Sequence, residues 1–204
     1  METGMIVGKL LPLLFNMMGP IGLMPIFAAM TARMDKPTRN TIALRAAVFA
    51  ALGILIAVFI GDPILRSWGI NRPALILAAG VILTLSSIRA VLMPAAAPAL
   101  PTAVGDPKAL AVRPLAFPTI VSPQAVGVLI IFVAFLSTFS STVTILTVAG
   151  VIILLDYGAM RIAHWFMATV GMVPLMVLGA VFGVLQVALG IEMMLSGLLM
   201  VVKP

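Results

Sequence analysis

Two apolar stretches of membrane-spanning length are each broken by proline at matching points, an arrangement that few water-soluble cores tolerate. The first reads NMMGPIGLMPIF from Asn16 to Phe27, and the second reads FPTIVSPQAVGVLIIF from Phe117 to Phe132. Pro20 and Pro123 stand 103 residues apart (123 − 20). In lipid, an interrupted backbone survives only where protein or a wet cavity satisfies the amides it frees. Paired broken helices in a repeat therefore point to a transporter's substrate site.

The surrounding chain supports a membrane setting. Of its 204 residues, 63% are apolar and 9% charged, against roughly 45–50% and about 25% in soluble domains. The apolar runs reach the ~20 residues a membrane helix needs, whereas a barrel would alternate in strands of about 10. A net charge of +6 comes from basic residues scattered along membrane-flanking segments. Positive-inside topology explains them without nucleic acid. The absence of cysteine excludes disulfides and thiolate chemistry. Lys9 is the only early basic residue and is opposed by Glu2, so the first segment is expected to be retained as helix one rather than cleaved as a signal.

Apolar runs bounded by Pro, Gly, Asn or charge predict six spans: 6–30, 41–61, 72–93, 112–134, 138–155 and 167–193 or somewhat beyond, with Gly197 a candidate break near the end. The proline-rich segment from Met93 to Leu110 reads as a connection. The expected fold is all-α, a polytopic bundle of six helices in two inverted three-helix repeats with helices one and four discontinuous. Residues 1–93 form the first repeat, 94–111 the linker and 112–204 the second. Gly80 and Gly183 share the 103-residue offset (183 − 80), as do Ile88 and Ile191. Three spans per repeat require the second half to enter from the opposite side; chance agreement between two Gly/Pro-rich segments is the alternative. Eight basic residues follow helices one, three and five (Arg33, Lys36, Arg39, Arg45, Arg89, Lys108, Arg113, Arg161). Four (Lys9, Arg66, Arg72, Lys203) lie on the other side, which predicts both termini outside.

Several pieces, in order, resemble the MarC family, also described as the six-span neutral amino acid transporter family. They are GPIGLMPIF from Gly19, RAA from Arg45, GDPILRSWGI from Gly61, PALILAAGVIL from Pro73, PLAFPTIVSPQAV in the second half and LSGL from Leu195. The resemblance implies six helices, the inner membrane of a bacterium or archaeon, and movement of small neutral amino acids such as glycine and alanine. The family's usual Asn-Pro at the first break is Gly19-Pro20 here, and its usual Gly-Pro-Gly at the second is Ser122-Pro123-Gln124. Those departures bear on selectivity.

Proline at the first position of a half-helix loses little, because the amide it lacks has no intrahelical acceptor there. Behind it stand free amides and the positive end of the helix dipole, which attract a carboxylate. The expected substrate site comprises Asn16, Gly19, Pro20, Gly22, Thr119, Ser122, Pro123 and Gln124, with the two glycines admitting a ligand to the main chain. A branched side chain at Gly19 or Gly22 is predicted to block that approach, and glycine at 122 or 124 to broaden the accepted substrate. The alternative is that the prolines merely kink packed helices. Glu192 is the candidate intramembrane acid for proton coupling. Asp62 and Asp156 read as caps or interface residues, and lone His164 as no metal ligand. Hydroxyls at Ser137, Thr138, Ser140, Ser141, Thr142, Thr144 and Thr147 suit either a pathway or close helix packing.

The expected function is a secondary transporter or exporter of small neutral amino acids, with no cofactor and no metal. Its expected partners are substrate and the lipid bilayer, and a homo-oligomer is left open. No nucleotide-binding motif is present, and no catalytic motif supports an enzyme. A channel for small solutes and a non-transporting assembly protein are the competing classes.

Overall fold

The computed structural model describes residues 2–92, 107–136 and 138–202. Most of the expected linker, and Ser137, lie outside them. The described residues are helical throughout the apolar runs. Helix α1 (Glu2–Met18) and α2 (Pro20–Met30) are the two arms of the first break. They are followed by α3 (Lys36–Ser67) and α4 (Arg72–Leu92). A tight 3₁₀ turn, Pro107–Ala111, leads into a widened π-type segment, Val112–Ile120, with extended backbone at Arg113 and Phe117. The second break then opens α5 (Pro123–Phe135), and α6 (Phe139–Val170) and α7 (Met172–Val202) complete the chain.

Among the described residues, five helical stretches are long and apolar enough to cross a membrane. A sixth is obtained if the pair 109–120 and 123–134, bent by 59° at the second break, counts as one. As expected, Pro20 and Pro123 each occupy the first turn of a new helix. The 103-residue offset extends further than the sequence comparison reached: both ends of α6 lie at that distance from the ends of α3 (139 − 36 and 170 − 67).

Three spans have boundaries that differ from those expected, the second span being α3 over 36–67 and not 41–61. The fifth span is not 138–155 but the 32-residue α6, which continues through Asp156, Arg161 and His164. A charge was read as a span end, but Asp156 faces the bundle interior and is fully buried. Arg161, expected in a loop, is exposed on α6, donating to the Tyr157 hydroxyl at 2.8 Å. The sixth span begins at Met172, not 167, and runs unbroken past Gly197. Asp62 likewise lies within α3 rather than at its end. The reversal between α6 and α7 rests on one residue, Gly171, at φ 76° and ψ −173°, a conformation nearly restricted to glycine.

α6 forms the centre, packing against α1, α2 and α3, while α5 sits between α3 and α4. Its buried positions Ile145, Ala149, Ile152, Asp156, Ala159 and Ala163 follow the helical period. Small residues allow the close approach: Ala43, Ala46, Ala47 and Ala50 of α3 are buried. The outward sides of α3 and α7 expose large apolar residues such as Phe59, Leu52, Val173 and Val184, as a lipid-facing surface requires. Thr31, ending α2, donates to the Phe27 carbonyl at 2.7 Å. Its hydroxyl also lies 2.8 Å from His164 Nε2, which ties α2 to α6.

The most extensive helix pair is α4 with α7, and glycines set its spacing. A Cβ on Gly80 would stand 2.7 Å from the Gly190 carbonyl oxygen, and one on Gly197 would stand 3.0 Å from that of Pro73. Gly183 meets Val91 in the same interface. Gly80 and Gly183, matched by offset in the sequence, thus both serve close helix packing, Gly80 against backbone and Gly183 against the Val91 side chain.

Candidate functional site

α1 stops at Met18 because Pro20 cannot supply the next helical amide, and Gly19 turns the chain at φ −18°, ψ 123° without a side-chain cap. The interruption leaves the last carbonyls of α1 and the first amides of α2 without helical partners. The residues that carry them line one open-sided cavity of about 250 Å³. Asn16, Gly19 and Gly22 line it from the break, Thr119 from the segment before α5, and Gly179, Phe182, Gly183 and Gln186 from α7.

Four of the eight expected substrate residues therefore meet: Asn16, Gly19, Gly22 and Thr119. Pro20 is buried beside the cavity without lining it. Of the second break, Thr119 alone contributes; Ser122, Pro123 and Gln124 are employed elsewhere. Ser122 Oγ accepts from the Ala125 amide at 3.3 Å, capping α5, and Gln124 Nε2 donates to Ser86 Oγ at 3.1 Å, joining α5 to α4. Substituting Ser122 by alanine is expected to cost ~1 kcal/mol, as loss of an N-cap does. Ligand affinity should stay unchanged, which denaturation and binding measured side by side will check.

The glycines differ in role. A Cβ on Gly22 would meet nothing within 4 Å, so this position opens onto free space. On Gly19 it would stand 2.7 Å from the Phe15 carbonyl oxygen. Gly19 is required by the turn itself rather than by room for a ligand.

Gln186, absent from the sequence reading, is the polar hub. Its Nε2 donates to the Asn16 carbonyl at 2.7 Å and its Oε1 accepts from Ser87 Oγ at 3.1 Å, bridging α7 to α1 and α4. Its signal in the sequence was a lone amide amid the apolar run of α7. Thr119 donates to the Pro114 carbonyl at 2.8 Å. Asn16 Oδ1 is buried with no hydrogen-bond partner, an unsatisfied acceptor enclosed in the wall of the break.

Glu192 lies exposed on α7 and does not line this cavity. The hydroxyls at the start of α6 do not line it either. Thr142, Thr144 and Thr147 return their protons to carbonyls four residues back, at 3.3, 3.0 and 2.8 Å. Among the described residues, no group of three His, Cys, Asp or Glu side chains could hold a metal ion.

Long apolar helices, a broken helix and a cavity at the break define a multi-pass helical integral membrane protein. The chain belongs to the MarC family of integral membrane proteins, whose family model matches residues 5–202. It is 27% identical over 191 residues to the UPF0056 membrane protein YhcE of Escherichia coli K12, an alignment covering 91% of this chain and 88% of that protein. It is 23% identical over 211 residues to the UPF0056 inner membrane protein MarC of the same strain, covering 97% and 96%. The MarC protein of Shigella flexneri matches equally. These relatives place the family in the bacterial inner membrane. No solved structure matches the chain.

Proposed function

We propose that the protein is a secondary transporter of small neutral amino acids that binds its substrate in the cavity at the first break. One observation carries this reading. The cavity is lined on one side by the residues that end α1, Phe15 to Met18, and on the other by Ile21 and Gly22 in the first turn of α2. Opposite helix ends present opposite partial charges. An amino acid is a zwitterion with the complementary pattern: its ammonium suits the carbonyl end of α1, its carboxylate the amides of Ile21 and Gly22.

Size favours a small substrate. About 250 Å³ falls below the roughly 300–1,000 Å³ of sites for drug-sized ligands. The recurrence of element lengths at the 103-residue offset supports the two inverted repeats that alternating access employs.

Counterflow in proteoliposomes tests the reading. Vesicles loaded with unlabelled glycine or alanine should accumulate the labelled amino acid transiently and saturably. Flux that rises linearly with concentration and shows no counterflow would establish a channel. No flux of any small amino acid would leave an assembly role.

A further inference from the structure

Asp156 is not a helix cap: it lies 17 residues after Phe139 and 14 before Val170 in the 32-residue α6. At 1.5 Å per residue it is ~25 Å from one helix end and ~21 Å from the other, while the hydrocarbon layer is about 30 Å thick. It is fully buried, and neither carboxyl oxygen has a hydrogen-bond partner.

Among the described residues, no titratable group of the elements packed on α6 hydrogen-bonds to Asp156. Helices α2 and α5 carry none. α1 carries Glu2 and Lys9, both ahead of its span at Leu10. α3 carries Lys36, Arg39 and Arg45 in its first three turns and Asp62 and Arg66 in its last two. Arg39 donates to the Met34 and Ala32 carbonyls, and Arg45 is exposed. The one acid of α7, Glu192, is exposed. On α6 itself, Arg161 is bonded to Tyr157, and His164, two turns beyond Asp156, is engaged by Thr31.

We propose that Asp156 is the proton-binding carboxyl of the transport cycle, taking up and releasing one proton as α6 repacks against α1 and α2. The inference rests on the transporter reading above. A carboxylate withdrawn from water without a donor or counter-ion is costly, and an ionisable residue inside a membrane bundle marks function by default. A metal cation needs several oxygen ligands, and no second carboxylate joins Asp156 in such a group among the described residues. A proton cancels the charge with no further ligand. The coupling route is direct, because α6 packs on the two arms of the break that borders the cavity. A change of charge at Asp156 therefore acts on the packing of the helices that shape the substrate site.

Two measurements test the proposal. Infrared difference spectra between acid and alkaline pH should show a protonated-carboxyl band that Asp156→Asn removes and Glu192→Gln leaves. In proteoliposomes, Asp156→Asn should keep glycine counterflow within about twofold while losing at least about tenfold of the accumulation driven by an imposed pH gradient. Gradient-driven accumulation retained in Asp156→Asn overturns the proposal, and so does a carboxyl band untouched by it. Wild-type accumulation indifferent to an imposed pH gradient overturns it as well. Should Asp156→Asn not be recovered folded, Asp156→Glu is expected to shift the band, and an unshifted band counts against the assignment. If no small amino acid exchanges at all, the transporter reading fails, while the infrared spectra still decide whether Asp156 binds a proton.

Discussion

Replacing Gly22 by valine is expected to weaken amino acid binding by roughly tenfold or more, about 1.4 kcal/mol, while the protein remains folded. A Cβ at this position meets no atom within 4 Å, so the new side chain enters the space in which a ligand reaches the first amides of α2. Valine is also a slightly better helix residue than glycine by a few tenths of a kcal/mol, so helix propensity does not oppose the change. Gly19→Val is expected to behave differently. Its Cβ would press on the Phe15 carbonyl at 2.7 Å, and a backbone oxygen cannot swing aside as a side chain can. Thermal stability and ligand affinity should fall together in that variant. Binding and melting of both purified variants, read in parallel, separate the cases. Unchanged affinity in Gly22→Val would move the site away from the first break.

Gly190→Val is expected to produce the largest loss of stability of any single substitution in the α4–α7 pair. A Cβ there would lie 2.9 Å from the Gly80 carbonyl oxygen and 2.9 Å from the Thr84 amide nitrogen, and would also collide with the Thr84 hydroxyl. Two of those atoms are main chain, so relief requires the helices to separate. Overpacking in a core costs about 1–3 kcal/mol and occasionally more. This case belongs at the upper end, a drop on the order of 5–10 °C in melting temperature. In lipid, close packing is itself a main source of helix association. Melting of the detergent-solubilised variant beside Gly150→Val, whose Cβ would meet nothing within 4 Å, supplies the control. Equal melting of the two variants would mean that α4 and α7 are not held by this contact.

Local chemistry made the breaks readable. Proline cannot continue a helix, so helix starts at Pro20 and Pro123 follow from covalent structure. The boundaries near Asp156 were not readable in the same way. A charge after an apolar run ordinarily ends a span, and only the neighbours of α6 reveal that this one is enclosed. Gln186 was missed because one amide in an apolar helix has no partner in its own segment; its partners, Asn16 and Ser87, lie 170 and 99 residues away. Ser122 was read for its position beside the break, but its oxygen is committed to the Ala125 amide.

The sequence by itself determined the solvent, the helical class and the points at which two helices break, because each depends on hydropathy or on the proline ring. The tertiary structure alone decided which break opens into a cavity, which glycines hold backbones together and which acid is withdrawn from water. Those outcomes depend on residues far apart in the chain, whose approach is set by how seven helices pack rather than by any local preference.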